Sequence, residues 1–323
     1  MKLKDNENLV NNPKNQLKLF GYKKYIDSFI KLYNDKKIPQ TILLSGPKGS
    51  GKSTFAYHFI NYIFSINEDK KYDQSNCIIN EDNASYKLMY NNIHPNFFLI
   101  ETSKSDDAIK IEKIRNLLKF LNKSTYSMNL KVVMIDNAEN LNLNASNALL
   151  KVLEEPPLNT IFFVVHDSNS KILRTIKSRS NEFKFFFNLS EKVQILKDLF
   201  DFYKIDLKDN DTIKDYYFET PGNLVKYFSY FNKHKININE DIIKCISILI
   251  DQYNDYKDIA ILSYISLLIE IFYNKIYLNN NNLGTYFINQ SKIISQINNM
   301  KKFNLNEKST FLWIKNILAN DSK

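Results

Sequence analysis

Gly46-Pro47-Lys48-Gly49-Ser50-Gly51-Lys52-Ser53-Thr54 is the stretch that decides how the chain is read. Its first eight residues match the pattern G-x-x-x-x-G-K-[ST] in full. The apolar run Ile42 to Leu44 feeds the stretch, and the helix-like segment Lys52 to Phe64 leaves it. Strand, loop and helix therefore follow in the order a phosphate cradle requires. Glycines let the backbone curl so that N–H groups of the loop and of the helix N-terminus converge on an anion. Lys52 is expected to hold the β- and γ-phosphates as a point charge, and Ser53 to ligate Mg²⁺ through its hydroxyl. Thr54 is expected beside the α- or β-phosphate. The alternative is an ordinary Gly-rich strand-to-helix turn; pattern and context together favour the phosphate site.

Outward from this stretch, strand-like and helix-like segments alternate from Gln40 to the mid-180s. Short apolar runs at Thr41 to Leu44, Phe97 to Ile100, Lys131 to Ile135 and Ile161 to Val165 have the length of buried strands. Asn144 to Glu155 reads as a helix, with Ala145, Ala148, Leu149, Val152 and Leu153 on one face before Pro156-Pro157 stops it. Such alternation predicts an α/β fold with a parallel sheet. Beyond about Asn188 the strand signal disappears, and apolar residues recur at helical spacing in Val193 to Phe202, Ile242 to Ile250, Ile259 to Tyr277 and Thr310 to Leu318. Pro221-Gly222 and the run Asn279 to Asn282 are expected in loops. Boundaries are expected near 187 and 236, and the polar stretch Asn67 to Asn92 reads as an insertion or long loop.

At 323 residues the chain is long enough for two or three domains. Hydrophobic residues at 44% and charged residues at 24% are ordinary for a globular protein. No run of about 18 apolar residues argues for a membrane span, and the first dozen residues lack the apolar core of a secretory signal, so a cytoplasmic protein is expected. Two cysteines, Cys77 and Cys245, make no disulfide framework. The net charge of +9 favours polyanionic partners, but it consists mostly of Lys scattered through every segment and reads first as a solvated basic surface. Rare residues are more telling. Three of the six glycines fall in the 46–51 window, and two of the three arginines, Arg174 and Arg179, lie six positions or fewer apart.

A second signature is Val132-Val133-Met134-Ile135-Asp136, an apolar strand ending in a carboxylate. Alone it is weak, because strands often end in Asp. About ninety residues after a phosphate loop, Asp136 is the expected acid on the metal side of the nucleotide.

From Asp136 the chain continues DNAENLNLNASNALLKVLEEPP and then IFFVVHDSNSKILRTIKSRS. Together with the opening LFGYKKYIDSFIKLYNDKKIPQTILLSGPKGSGKST, these stretches resemble the bacterial clamp-loader AAA+ subunits over roughly residues 17 to 230. The resemblance implies a RecA-like AAA+ nucleotide-binding domain at 1–187, an all-helical lid at 188–235 and an all-helical C-terminal collar for oligomerisation at 236–323. It implies ATP or ADP with Mg²⁺ at Gly46 to Thr54 and Asp136. It also implies a place in a hetero-pentamer with gamma/tau and delta subunits, acting through the assembly on a sliding clamp and primer-template DNA.

Within that family, the motor subunits gamma and tau follow the aspartate with a glutamate that positions the attacking water. Here Asn137 stands in that place, and an amide cannot accept the proton. Asp-Asn-Ala-Glu, Val165-His166 and IKSRS are similar instead to the wording of delta-prime subunits. Glu139 could substitute as base, but it reads more simply as a solvent-facing carboxylate at a helix start. The zinc module of the motors needs four ligands, and only Cys77 lies in the corresponding stretch, so zinc is not expected. His94, before Pro95, reads as structural.

Arg179, in Ser178-Arg179-Ser180, occupies the place of the family's arginine finger, which reaches a neighbouring subunit's ATP. A planar, always charged guanidinium suits that task; the alternative is an Arg paired to a nearby carboxylate. Arg115 and Arg174 suggest only surface or interface pairing. Glu219-Thr220-Pro221-Gly222-Asn223 resembles the S-P-G of the delta-prime lid, followed by Leu224 where AAA+ motors place a lid arginine. No arginine follows residue 179, although Lys226 could partly substitute. These readings point to a subunit that binds ATP and hydrolyses it slowly or not at all. The alternatives are a gamma/tau-type motor, or a solitary DNA-binding AAA+ replication protein, for which no helix-turn-helix reader is visible.

Overall fold

The computed structural model of the chain describes residues 12–102, 108–123, 130–205, 216, 218–237, 241–279, 283–303 and 307–322. Among the described residues five strands form one parallel sheet: β1 (Thr41–Gly46), β2 (Phe97–Ile100), β3 (Lys131–Ile135), β4 (Thr160–Asp167) and β5 (Asn181–Lys184), in the order β2-β3-β4-β1-β5. The central strands β1, β3 and β4 are buried almost throughout. That is why their sequences read as continuous apolar runs and not as alternating ones.

Because successive side chains on a strand point to opposite faces, the sheet carries two cores. On one face Ile42, Leu44, Val132, Met134, Phe163 and Val165 pack with α1 (Lys23–Asn34) and α2 (Lys52–Ser65). The short α3 (Ala84–Tyr90) adds Met89 on that side. On the other face Leu43, Val133, Ile135, Phe162 and Val164 meet α4 (Ile111–Leu121), α5 (Leu143–Glu154) and α6 (Arg174–Ser178). The predicted strands and the helices at Lys52 and Asn144 are all present. Strand β5 has no sequence signal, because Asn-Glu-Phe-Lys lies on the sheet edge and is only half-buried, which leaves it without an apolar run.

The stretch 67–92 has local order of its own. Isolated bridges join Ile78 to Asp73 and Lys18, and the Glu68 carboxylate accepts from the backbone N–H groups of Ala84 and Ser85 at the start of α3. Asn83 caps that helix, accepting from Tyr86 N at 2.7 Å, while its amide donates to Lys70 O. His94 stacks on Phe64 with ring centroids 4.1 Å apart and accepts from Asn96 N, which gives it a packing role.

On α2, His58 is fully buried. Its Nε2–H donates to Gln16 O at 2.8 Å and its Nδ1 accepts from the Tyr72 hydroxyl at 3.1 Å. Burial lowers its pKa from 6.5 to about 4. Between those values the unfolded chain takes up a proton that the folded chain refuses, so stability is full above about pH 6.5 and falls as the pH drops toward 4. Urea titrations are expected to show a loss of about 1 kcal/mol per pH unit in that window. His58→Gln is expected to flatten this slope.

Helix α7 (Leu189–Tyr203) begins four residues earlier than its apolar periodicity suggests. A capping box accounts for this: Asn188 accepts from Glu191 N, and the Glu191 carboxylate accepts from Asn188 N. Asn188→Ala is expected to cost about 1 kcal/mol in chemical denaturation. The loop expected at Pro221-Gly222 is instead the start of α8 (Pro221–Lys233). Proline is at home in a first helical turn, where its missing N–H would find no intrahelical partner. The loop expected at Asn279 to Asn282 lies, beyond Asn279 itself, outside the described residues.

Two compact units divide the chain: Met1–Lys204 with Tyr217–Lys226, and Ile205–Tyr216 with Tyr227–Lys323. The second is helical, comprising the rest of α8, α9 (Ile242–Tyr256), α10 (Ile259–Asn279), α11 (Leu283–Phe303) and α12 (Glu307–Asp321). α10 packs on α9 and α11, burying Leu262, Ile265, Leu268 and Ile269. Among the described residues, Ile259–Tyr277 of α10 is the one segment long and apolar enough to cross a membrane, and 50% of it is buried inside the protein. The Tyr273 hydroxyl donates to Asp321 Oδ2 at 2.7 Å, tying α10 to α12.

Candidate nucleotide site

The loop Gly46–Gly51 emerges from the C-terminal end of β1, between β4 and β5, and Gly51 leads directly into α2. Ligands of open α/β sheets bind outside the carboxyl ends of strands at such a point. Gly49 and Gly51 have φ of +82° and +90°, the left-handed region that glycine enters without cost. At Gly46 a Cβ would lie 2.5 Å from the Phe185 carbonyl oxygen, so contact with the strand beyond requires glycine there too.

Each carbonyl of the loop has a donor. Lys52 Nζ reaches Gly46 O at 2.8 Å and Pro47 O at 2.7 Å. Thr220 Oγ1 donates to Lys48 O at 2.8 Å and Gly222 N to Gly49 O at 2.9 Å. The buried Tyr22 hydroxyl donates to Ser50 O at 2.5 Å, and Phe55 N bonds Gly51 O. With its carbonyls engaged, the polar capacity left to the loop lies chiefly in amide N–H groups other than that of Ser50, which donates to Pro47 O at 3.3 Å, and among the described residues the buried Ser50 hydroxyl has no partner. That donor set fits phosphate oxygens.

Lys52 is 5% exposed, and burial lowers its pKa from 10.5 to about 8, against the opposing pull of Asp167, Glu139 and Asp136. Ser53 Oγ donates to Asp136 Oδ1 at 2.7 Å. Residues from the first turn of α2 and the end of β3 thus meet as the sequence predicts, because β3 and β1 flank β4 in one parallel sheet. Burial raises the Asp136 pKa, while hydrogen bonds from Ser53 and from Asn137 N oppose the shift. Asn137 itself is left-handed, with φ of 53°. Glu139 is not simply a solvated helix-start carboxylate: its Oε2 accepts from Asp167 N at 3.1 Å, fastening the turn after β3 to the end of β4.

Arg179 follows α6 and is turned to its own chain. Nη2 pairs with Glu154 Oε1 at 2.6 Å and Nη1 donates to Thr175 O at 3.1 Å, with the side chain 33% exposed. Among the described residues no hydrogen bond or ion pair joins it to the phosphate loop. Arg115 pairs loosely with Glu112 on α4. Tyr22 and Thr220 lie within the stretches that carry the resemblance, but their loop-holding role is not legible there, since nothing local marks a hydroxyl whose acceptor lies on another element.

The sheet order, the loop and the Ser53–Asp136 pair define a P-loop nucleotide-binding protein of the AAA+ class. The model of the family "DNA polymerase III, delta subunit" matches residues 21–187. The chain belongs to that family. It is 32% identical over 137 residues to DNA polymerase III subunit delta' of Pseudomonas aeruginosa, covering 42% of this chain and 40% of the relative. To subunit delta' of Buchnera aphidicola from Schizaphis graminum it is 30% identical over 150 residues, covering 46% and 44%. To subunit gamma of the same organism it is 28% identical over 238 residues, covering 70% and 61%. The matches thus span less than half the length of these delta' relatives. A DNA polymerase III gamma subunit-related protein of Thermotoga maritima aligns over 92% of this chain and 100% of its own, with a TM-score of 0.46 and 17% identity.

Proposed function

We propose that the chain is a clamp-loader subunit of the delta-prime type, binding ATP or ADP with Mg²⁺ at Gly46–Thr54 and contributing Arg179 to a neighbouring subunit's ATP. The observation that carries this reading is the site's composition. Lys52, Ser53 and Asp136 converge on a phosphate-shaped loop, yet Asn137 stands where a base would be needed. Ser53 Oγ and Asp136 would hold the metal, which would supply charge neutralisation at the β- and γ-phosphates. Lys52 would exchange its bonds to the Gly46 and Pro47 carbonyls for phosphate oxygens, and the Ser50 hydroxyl and loop N–H groups would complete the cradle.

In this reading Arg179 leaves Glu154 for a γ-phosphate across a subunit interface. The division into a nucleotide-binding domain 1–187, a lid 188–235 and a collar 236–323 belongs to the same proposal. So do assembly with gamma/tau and delta subunits in a cytoplasmic hetero-pentamer, and loading of a sliding clamp on primed DNA. Zinc has no part in it, since only Cys77 lies in the stretch where the motor subunits carry their four zinc ligands.

One observation favours a second reading, a gamma/tau-type motor: the Glu139 carboxylate lies close enough to Lys52 to act on its charge. Steady-state ATP hydrolysis by the isolated chain, measured beside equilibrium nucleotide binding, separates the two. Binding with little or no turnover is expected. Turnover at motor-like rates that disappears in Glu139→Gln would establish the motor reading and overturn ours.

A further inference from the structure

The first turn of α8 lies on the phosphate loop through contacts that motif reading does not assign. Thr220 is 6% exposed, and its hydroxyl is bound to Lys48 O while Gly222 N is bound to Gly49 O. Glu219 holds the turn in shape, Oε1 accepting from Thr220 N at 2.7 Å and from Asn223 Nδ2 at 2.9 Å. The fit is close on both sides. A Cβ on Gly222 would lie 2.5 Å from Gly49 O, and one on Gly49 would lie 2.3 Å from Thr220 Oγ1 and 2.6 Å from Asn223 Oδ1. Leu224, where the lid arginine of AAA+ motors would stand, is fully buried and cannot present a charge to the site.

The peptide group is a rigid plane, with its C=O and its N–H on opposite edges. The carbonyls of Lys48 and Gly49 therefore belong to the same planes as the N–H groups of Gly49 and Ser50. A phosphate that draws the Gly49 N–H toward itself, and the Ser50 N–H away from its long 3.3 Å bond to Pro47 O, tilts and polarises the planes whose carbonyls α8 holds. Charge acts in the same sense. Lys226, one turn further along the face that carries Gly222 and Asn223, has its ammonium pulled below the ordinary lysine range by burial and by Lys48 nearby. A bound polyanion would relieve that repulsion.

We propose that Thr220, Gly222 and Asn223 form a clasp through which α8 senses phosphate on the loop by way of the loop's own carbonyls, without an arginine. The proposal rests on the nucleotide-binding reading above. The ligand class is a nucleoside di- or triphosphate. AMP, lacking the β-phosphate, should leave the clasp unchanged.

Hydrogen exchange of the full chain, with and without saturating Mg-ADP, tests it. ADP is expected to slow the amides of 46–53 and, with them, those of 220–224 by about five-fold, the equivalent of one hydrogen bond. In Thr220→Val, ADP should still protect 46–53 while the response at 220–224 is lost, and Thr220→Ser should restore it. Protection of 46–53 by ADP with no change at 220–224 in the unaltered chain overturns the clasp. If ADP protects neither segment, the nucleotide reading fails, and the clasp is then judged without ligand. Gly222→Ala must speed exchange at 48–51 as well as at 220–224, and an effect confined to α8 overturns it.

Discussion

Lys52→Ala is expected to weaken ADP and ATP binding on the order of 100-fold, the loss of a charge-assisted contact to two phosphates. In the structure Lys52 is almost wholly buried and, among the described residues, bonded only to the carbonyls of Gly46 and Pro47. Keeping an ammonium there costs desolvation, seen in its lowered pKa, and loop carbonyls are weaker partners than a carboxylate. Removing the charge should therefore leave the free protein about as stable as before while the ligand loses its main cation. Isothermal titration calorimetry and urea melts on the same variant check both halves. Lys52→Ala that binds ADP as tightly as the unaltered chain would show that Gly46–Thr54 is only a strand-to-helix turn.

Arg179→Ala is expected to reduce ATP turnover of a reconstituted loader by about 10³-fold or more, the scale of a guanidinium that stabilises a phosphoryl-transfer transition state. The chain's own nucleotide affinity should not change, because Arg179 is not bonded to its loop. Stability should change little as well. The Arg179–Glu154 pair is partly exposed, at 33% and 51%, and such pairs contribute at most about 1 kcal/mol. Arg179→Lys should not rescue turnover, since an ammonium lacks the planar fork. Glu154→Gln is informative in the opposite direction: loosening the intramolecular partner should leave turnover intact or raise it. A reconstituted loader that runs at full rate with Arg179→Ala would end the trans role and leave the pairing to Glu154 as the residue's whole function.

These two expectations differ in how they can be read from the chain. Lys52 is marked by its neighbours in sequence. For Arg179 the sequence leaves two partners open, a neighbour's phosphate or a carboxylate of its own chain. The structure shows the second in the free chain, with Glu154 contributed by the NALLKVLEE helix. The same distinction separates β4, legible as an apolar run because both faces are covered, from β5, illegible because it is an edge. It also separates α7, whose capping box is written in Asn188 and Glu191, from α8, whose proline reads as a loop in the sequence and is a helix start in the fold.

By themselves, residues 46–54 and 132–136 determined the kind of site and the parallel α/β fold around it. Phosphate and metal chemistry needs particular side chains at contiguous positions, and a strand buried on both faces must be apolar throughout. Only the tertiary structure decided what holds the loop. Thr220 lies 172 positions from the Lys48 carbonyl it binds, and Tyr22 lies 28 from Ser50. A hydroxyl on one element and a carbonyl on another leave no mark on either local pattern. They meet because the strand order and the packing of the helices bring them within 3 Å.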